Sequence, residues 1–169
     1  EEGCIWPAIE HGIFVDHNGF VYLGGNGANG NPNGSAWSSN KGADGMILKF
    51  TKDGKFVKMI GGAGAKGHDS NNKNGGANGT PMFYLPADIT VDPVTNRMYI
   101  SDGYGNRRVV IVDAESGQYL GHFGAYGGNP IDDKAAAAAG DWMTDFNNGN
   151  LKPTIFRNPV HCVKISKDG

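Results

Sequence analysis

The chain has 169 residues, a formal net charge of −2 and 38% hydrophobic residues. That balance leaves no electrostatic footprint for nucleic acid, and no apolar run approaches the ~20 residues of a membrane-spanning helix. Two cysteines, Cys4 and Cys162, do not make a disulfide framework. They could pair, but a free Cys162 buried in an apolar strand is the stronger expectation.

In chain order, His11-Gly12-Ile13-Phe14-Val15-Asp16 opens a short apolar run, and His17-Asn18-Gly19 turns it into Phe20–Leu23. A Gly/Asn-rich stretch, 24–45, follows. Met46–Phe50, the turn Lys52-Asp53-Gly54 and Phe56–Ile60 complete a four-strand module over 8–61, closed by Gly61. After a second Gly/Asn stretch, 62–81, the pattern repeats over 84–124. The runs are Ile89–Val91, Met98–Ser101, Val109–Val112 and Tyr119–Phe123, with Asp92-Pro93 and Glu115-Ser116-Gly117 as turn signals. A third such stretch, 125–157, holds Asp132-Asp133-Lys134 ahead of Ala135–Ala139 and Gly140, which predicts one short helix. Residues 158–169 then repeat the opening of the module.

Four short strands with tight turns in about 40 residues match one blade of a β-propeller. The sequence therefore predicts an all-β chain with two blades and the first strand of a third. A closed ring takes about 4–8 blades, so the chain is expected to be part of a longer protein. The remainder of its own propeller, or another chain, would meet the open sheet edge.

Antiparallel connections sort the loops by face. His17–Gly19, Lys52–Gly54, Pro93–Asn96 and Glu115–Gly117 are minimal turns at one end of the strands. All three long insertions and the segment Asp102–Asn106 lie at the other, together with His11 and His161. Elaborated loops on a rigid scaffold are where binding and catalysis concentrate. The reading drawn from this is a scaffold that binds a protein, a glycan or a neighbouring subunit on its loop face.

Three segments also carry a family resemblance. Pro86-Ala87-Asp88-Ile89-Thr90-Val91 and Ser101-Asp102-Gly103-Tyr104-Gly105-Asn106-Arg107-Arg108-Val109 resemble an NHL-type repeat. They are most similar to the six-bladed propeller of the peptidyl-α-hydroxyglycine α-amidating lyase family. His11-Gly12-Ile13-Phe14-Val15-Asp16 and Asn158-Pro159-Val160-His161 are similar to the blade openings that supply that family's zinc ligands. The resemblance covers the strands of both modules and the third opening, and none of the insertions.

The resemblance implies a six-bladed fold, secretion to an extracellular or periplasmic space, and a metal-dependent lyase or hydrolase as the alternative function. It implies His11 and His161 on zinc and Tyr104 as the base that takes the substrate's hydroxyl proton; calcium is a second expected ion. A peptide-like small ligand would sit on the loop face. Arg107 is a candidate carboxylate binder, and Asp102 with Arg108 is expected to form a bidentate pair that holds the loop shut. Three departures stand against this. His161 lies two residues after its proline where the family's ligand lies one after, which reverses its side on a regular strand. The family's third histidine would fall beyond Gly169, and the family's loop cysteine is replaced by Gly105.

Each candidate also has an ordinary structural reading. His11 could be a histidine bonded to a backbone carbonyl, and Tyr104 an aromatic anchor for its loop. His17, His68 and His122 have no ligand spacing to support them. Asn33-Gly34-Ser35 and Asn78-Gly79-Thr80 are N-glycosylation sequons.

Overall fold

The computed structural model describes residues 2–28, 42–65, 69–130, 156 and 159–168. The expected helix, the Asn33 sequon, His68 and most of the first and third Gly/Asn stretches lie outside them. The chain is all-β. Strands β1 (Glu10–Val15), β2 (Val21–Gly25), β3 (Ala43–Phe50) and β4 (Phe56–Ala65) form one antiparallel sheet in that order. Strands β5 (Asp88–Val91), β6 (Arg97–Asp102), β7 (Arg108–Asp113) and β8 (Tyr119–Phe123) form a second. Helix among the described residues is limited to 3₁₀ turns at Ala77–Gly79 and Ala125–Gly127. No helix there is long and apolar enough to cross a membrane.

The tight turns rest on aspartates. Asp16 Oδ1 accepts the N–H groups of Asn18 and Phe20. Asp92 accepts that of Val94, and Asp113 those of Glu115 and Ser116. These are side-chain turns that fix a hairpin without needing a long loop.

The strands run further into the Gly/Asn stretches than their composition predicts. β2 continues to Gly25, β3 begins at Ala43, and Ala43 pairs with Ala65 at the far end of β4. A ladder needs only backbone groups, so glycines continue it once a neighbour is in register. Asp44 reinforces this end. It is fully buried, and its carboxylate accepts the N–H groups of Ala8, Ile9 and Gly27.

The registers make the two sheets equivalent residue by residue. Ile13 opposite Leu23 and Val15 opposite Val21 correspond to Ile89 opposite Ile100 and Val91 opposite Met98. Phe50 opposite Val21 corresponds to Val112 opposite Met98. In the second sheet this face is the core: it is buried against Tyr22, Ile47 and Ile60 of the first sheet, with Phe83 from the connection. In the first sheet the same face is open. Ile13 and Val15 are 67% and 58% exposed, and Ile13, Val21, Leu23, Phe50 and Trp6 line an apolar cleft of ≈ 420 Å³.

The sheets approach most closely where β1 meets the start of β5. The Gly12 N–H donates to the Ala87 carbonyl at 3.2 Å. A Cβ on residue 12 would lie 2.5 Å from that oxygen, so only glycine permits the contact.

Residues 159–168 form no ladder, so the expected first strand of a third module is not seen. Their bonds go to the Gly103 carbonyl and the Asp88 carboxylate instead. Cys162 accordingly is free but exposed, which corrects the expectation of a buried strand residue.

Candidate functional site

The ladder between β1 and β2 breaks between Glu10 and Ile13. A break of this kind re-aims side chains, and His11 sits within it. His11 Nδ1 lies 2.7 Å from the Ala87 carbonyl oxygen. A carbonyl only accepts, so Nδ1 carries the proton, and in the neutral ring the lone pair is on Nε2. This is the arrangement that second-shell carbonyls impose on metal-binding histidines.

Tyr104 lies in the connection between β6 and β7, which is clamped from both sides. On one side the Gly105 N–H donates to the Tyr84 carbonyl at 3.1 Å. The Tyr84 ring covers Gly105 so closely that a Cβ there would fall 1.6 Å from it. On the other side the Val160 N–H donates to the Gly103 carbonyl at 3.3 Å. The residue after Val160 is His161, so Gly103 seats His161 next to Tyr104.

Beneath the loop lies the Asp102–Arg108 pair, with both side chains fully buried and Nε 2.8 Å from Oδ2. The contact is single rather than bidentate. The other guanidinium N–H groups donate to the carbonyls of Ser70, Asn72 and Met82. Asp102 accepts from the Tyr84 N–H on Oδ1 and from Asn106 Nδ2 on Oδ2. The pair therefore welds the loop to the 70–82 connection as well as closing it.

Three rings converge as a result. Centroid separations are 5.3 Å for His11–His161, 5.4 Å for Tyr104–His161 and 5.6 Å for His11–Tyr104, all edge-to-face. They come from β1, the β6–β7 loop and the 159–168 segment. An open cleft of ≈ 500 Å³ adjoins the two histidines, lined by His11, Asp88, His161, Cys162 and Lys164 among others; Tyr104 stands beside the histidine rings and is not in that lining. His161 stands on no regular strand, so the one-residue offset from its proline does not turn it away from His11.

Asp88 organises the far wall. Its Oδ2 accepts from the Val163 N–H and from Lys164 Nζ at 2.8 Å. Burial raises its pKa, but the Lys164 ammonium, the Val163 N–H and the Cys162 thiol outweigh this and hold it below the ordinary value. The same carboxylate raises the Cys162 thiol.

Two imidazoles on one tetrahedral zinc, with Zn–N near 2.0–2.1 Å, have centroids about 5 Å apart. The His11–His161 spacing and the Nε2 lone pair of His11 fit that geometry. Among the described residues no group of three or more His, Cys, Asp or Glu side chains could hold a metal ion. Arg107 is not among the residues lining the cleft, and its N–H donates to Ser70 Oγ. His17 lies in a tight turn beside Asn18. His122 lies on β8 against Tyr119, where burial lowers its pKa.

Sequence reasoning missed Ser70, Asn106 and Asp44, all buried polar anchors. Only their hydrogen-bond partners reveal their role, backbone groups for Asp44 and the Asp102 carboxylate for Asn106, and no spacing encodes those.

No protein-family model matches the chain, and no curated protein sequence matches it.

Proposed function

We propose that the chain contributes a metal-dependent lyase or hydrolase site on the loop-bearing face of an NHL-type, six-bladed β-propeller. The convergence of His11, His161 and Tyr104 carries this reading. His11 Nε2 and an imidazole nitrogen of His161 would hold zinc, which when bound supplies Lewis-acid polarisation of a substrate oxygen. Tyr104 Oη takes the proton of a substrate hydroxyl. The cleft beside His11 and His161 admits a small polar or peptide-like molecule, with the Asp88–Lys164 ion pair in its wall. The resemblance to the amidating lyases points to an extracellular or periplasmic setting.

The test is metal retention. The protein, equilibrated with zinc and desalted, should keep about one equivalent by elemental analysis. His11→Ala and His161→Ala should each lose it with unchanged far-UV circular dichroism. Tyr104→Phe should keep zinc and lose turnover of a peptidyl-α-hydroxyglycine. A wild-type protein that retains no zinc would overturn the reading.

The open face of the first sheet favours a second function, as a binding scaffold. Its counterpart in the second sheet is covered by a neighbouring sheet, so Ile13, Val15, Val21, Leu23 and Phe50 suit a further blade or a protein partner. Val15→Asp, on the same open face and outside the lining of the histidine cleft, should abolish any such association while leaving zinc retention intact.

A further inference from the structure

A second cleft, of ≈ 230 Å³, opens on the other side of the Tyr104 loop, with Asp69, Asn72, Met82, Tyr84 and Asn106 in its lining. Asn106 is 2% exposed, and its Oδ1 has no hydrogen-bond partner among the described residues. The amide cannot be reversed to relieve this. Its Nδ2 donates to Asp102 Oδ2 at 2.8 Å, and turning the group over would set an oxygen against a carboxylate that only accepts. Oδ1 is therefore a buried acceptor awaiting a donor, a state that native proteins rarely leave unanswered.

The surroundings specify the donor. Asp69 stands exposed at this cleft, and its carboxylate takes only the Asn71 N–H at 3.2 Å and Asn72 Nδ2 at 3.5 Å, so it has lone pairs to spare. Asn72 Oδ1 is occupied by the N–H groups of Gly75 and Met82 and serves as wall. Arg108 lies behind that wall, but Asp102 and three carbonyls take its charge and its N–H groups. Lys73 is drawn to the Tyr119 ring. Among the described residues what remains is one unpaired negative charge and one unpaired acceptor, beside the apolar surfaces of Met82 and Tyr84.

We propose that this cleft is a subsite for an N–H-donating organic cation, the guanidinium or ammonium head of a basic side chain. Its head bonds Asp69 and Asn106, and its aliphatic stem lies along Met82 and Tyr84. Tyr104 and Asn106 belong to one short loop. If the lyase reading above holds, the subsite selects peptide-like substrates with a basic residue near the reacting group. The binding itself does not depend on that reading.

The test uses argininamide, lysinamide and the neutral analogue citrullinamide as probes, followed by NMR on the metal-free protein in EDTA. Argininamide or lysinamide should shift the Asn106 side-chain amide. Citrullinamide should bind roughly tenfold more weakly, because charge-assisted bonds are about twice as strong as neutral ones. Asp69→Asn, an exposed substitution that leaves the fold alone, should weaken the cation several-fold. Equal binding of the neutral analogue, no loss in Asp69→Asn, or an unmoved Asn106 amide would each overturn the proposal. Since zinc is absent throughout, failure here is distinct from failure of the metal site.

Discussion

Replacing Arg108 with Met keeps the volume of the stem and removes the guanidinium. The Asp102 carboxylate then loses its paired cation while keeping two hydrogen bonds, from the Tyr84 N–H and Asn106 Nδ2. Three carbonyls, of Ser70, Asn72 and Met82, lose their donor together. Breaking a buried pair from one side costs about 3–5 kcal/mol. The orphaned carbonyls add less than about 1–3 kcal/mol each, because the 70–82 connection can turn some of them to water. Against a total of about 5–15 kcal/mol for a domain, Arg108→Met should lower the urea midpoint sharply. It should also lower Tm by about 10 °C or more, at roughly 2–4 °C per kcal/mol for this size. Asp102→Asn should be comparably damaging, since any orientation of the amide loses either the Tyr84 acceptor or an acceptor shared by two donors. The double variant should be less destabilised than the sum, with a coupling of about 0.5–3 kcal/mol. Urea melts followed by circular dichroism and tryptophan fluorescence measure all four proteins. A loss under about 1 kcal/mol for Arg108→Met, or strict additivity, would refute the claim that this pair organises the loop.

Gly105→Ala should displace Tyr84 and the Tyr104 loop, because the added Cβ meets the Tyr84 ring at 1.6 Å. Zinc retention or turnover should fall while the strands persist, and Gly121→Ala, where a Cβ makes only ordinary contact with the Ile111 side chain at 3.9 Å, is the control for a glycine-to-alanine change. Burial lowers the Lys49 pKa below its ordinary 10.5, opposed in part by Asp16. The folded state then sheds that proton before the unfolded state does, so stability should rise with pH until 10.5 is approached. Tyr22, raised by burial and by Asp16 above its ordinary 10.0, acts oppositely. Only the unfolded chain ionises there, so stability should fall above pH 10. Lys49→Met should remove the rising limb in melts across pH 7–11 and keep the falling one above pH 10; an unchanged profile would refute the assignment. The depressed pKa of Asp88 contributes stability above its ordinary 3.8 that is lost as pH falls through the folded value. Below that, or in Asp88→Asn, the 162–164 backbone should lose protection in hydrogen exchange while β5 keeps its own.

The strands were legible because their signals are local. The β-branched run Val109–Val112 and the aspartates at 16, 92 and 113 each specify a strand or a turn without reference to anything distant. The convergence of His11, Tyr104 and His161 was legible only through the repeat, which places leading strands and loops at one end. What the sequence could not disclose was contact chemistry between distant segments. Nothing near Arg108 announces that its donors serve carbonyls at 70, 72 and 82. Nothing near His11 names the Ala87 carbonyl as its tautomer lock. The 159–168 segment shows a limit of pattern in the opposite direction. Its apolar pattern matches a strand, yet no neighbouring strand among the described residues pairs with it, and pattern without a partner makes no ladder.

The repeat also separates scaffold from function, because equivalent positions with different chemistry mark where the modules diverge in task. Tyr22 and Tyr99 occupy the same register position opposite Phe14 and Thr90, and the face set by Ile13 and Ile89 is conserved in chemistry between the sheets. At the loop end the equivalence fails. Gly24-Gly25 ends β2 where Ser101-Asp102 ends β6, and only the second sheet has a buried carboxylate there to receive an arginine. The first sheet spends its buried carboxylate, Asp44, on the backbone of residues 8, 9 and 27. The second spends Asp102 on Tyr84, Asn106 and Arg108. One device fixes the segment that delivers His11, and the other fixes the loop that delivers Tyr104. Two different anchors, on two otherwise interchangeable sheets, hold two rings 5.6 Å apart. Packing of sheet on sheet alone would require neither anchor, and a site that must hold its groups in one geometry requires both.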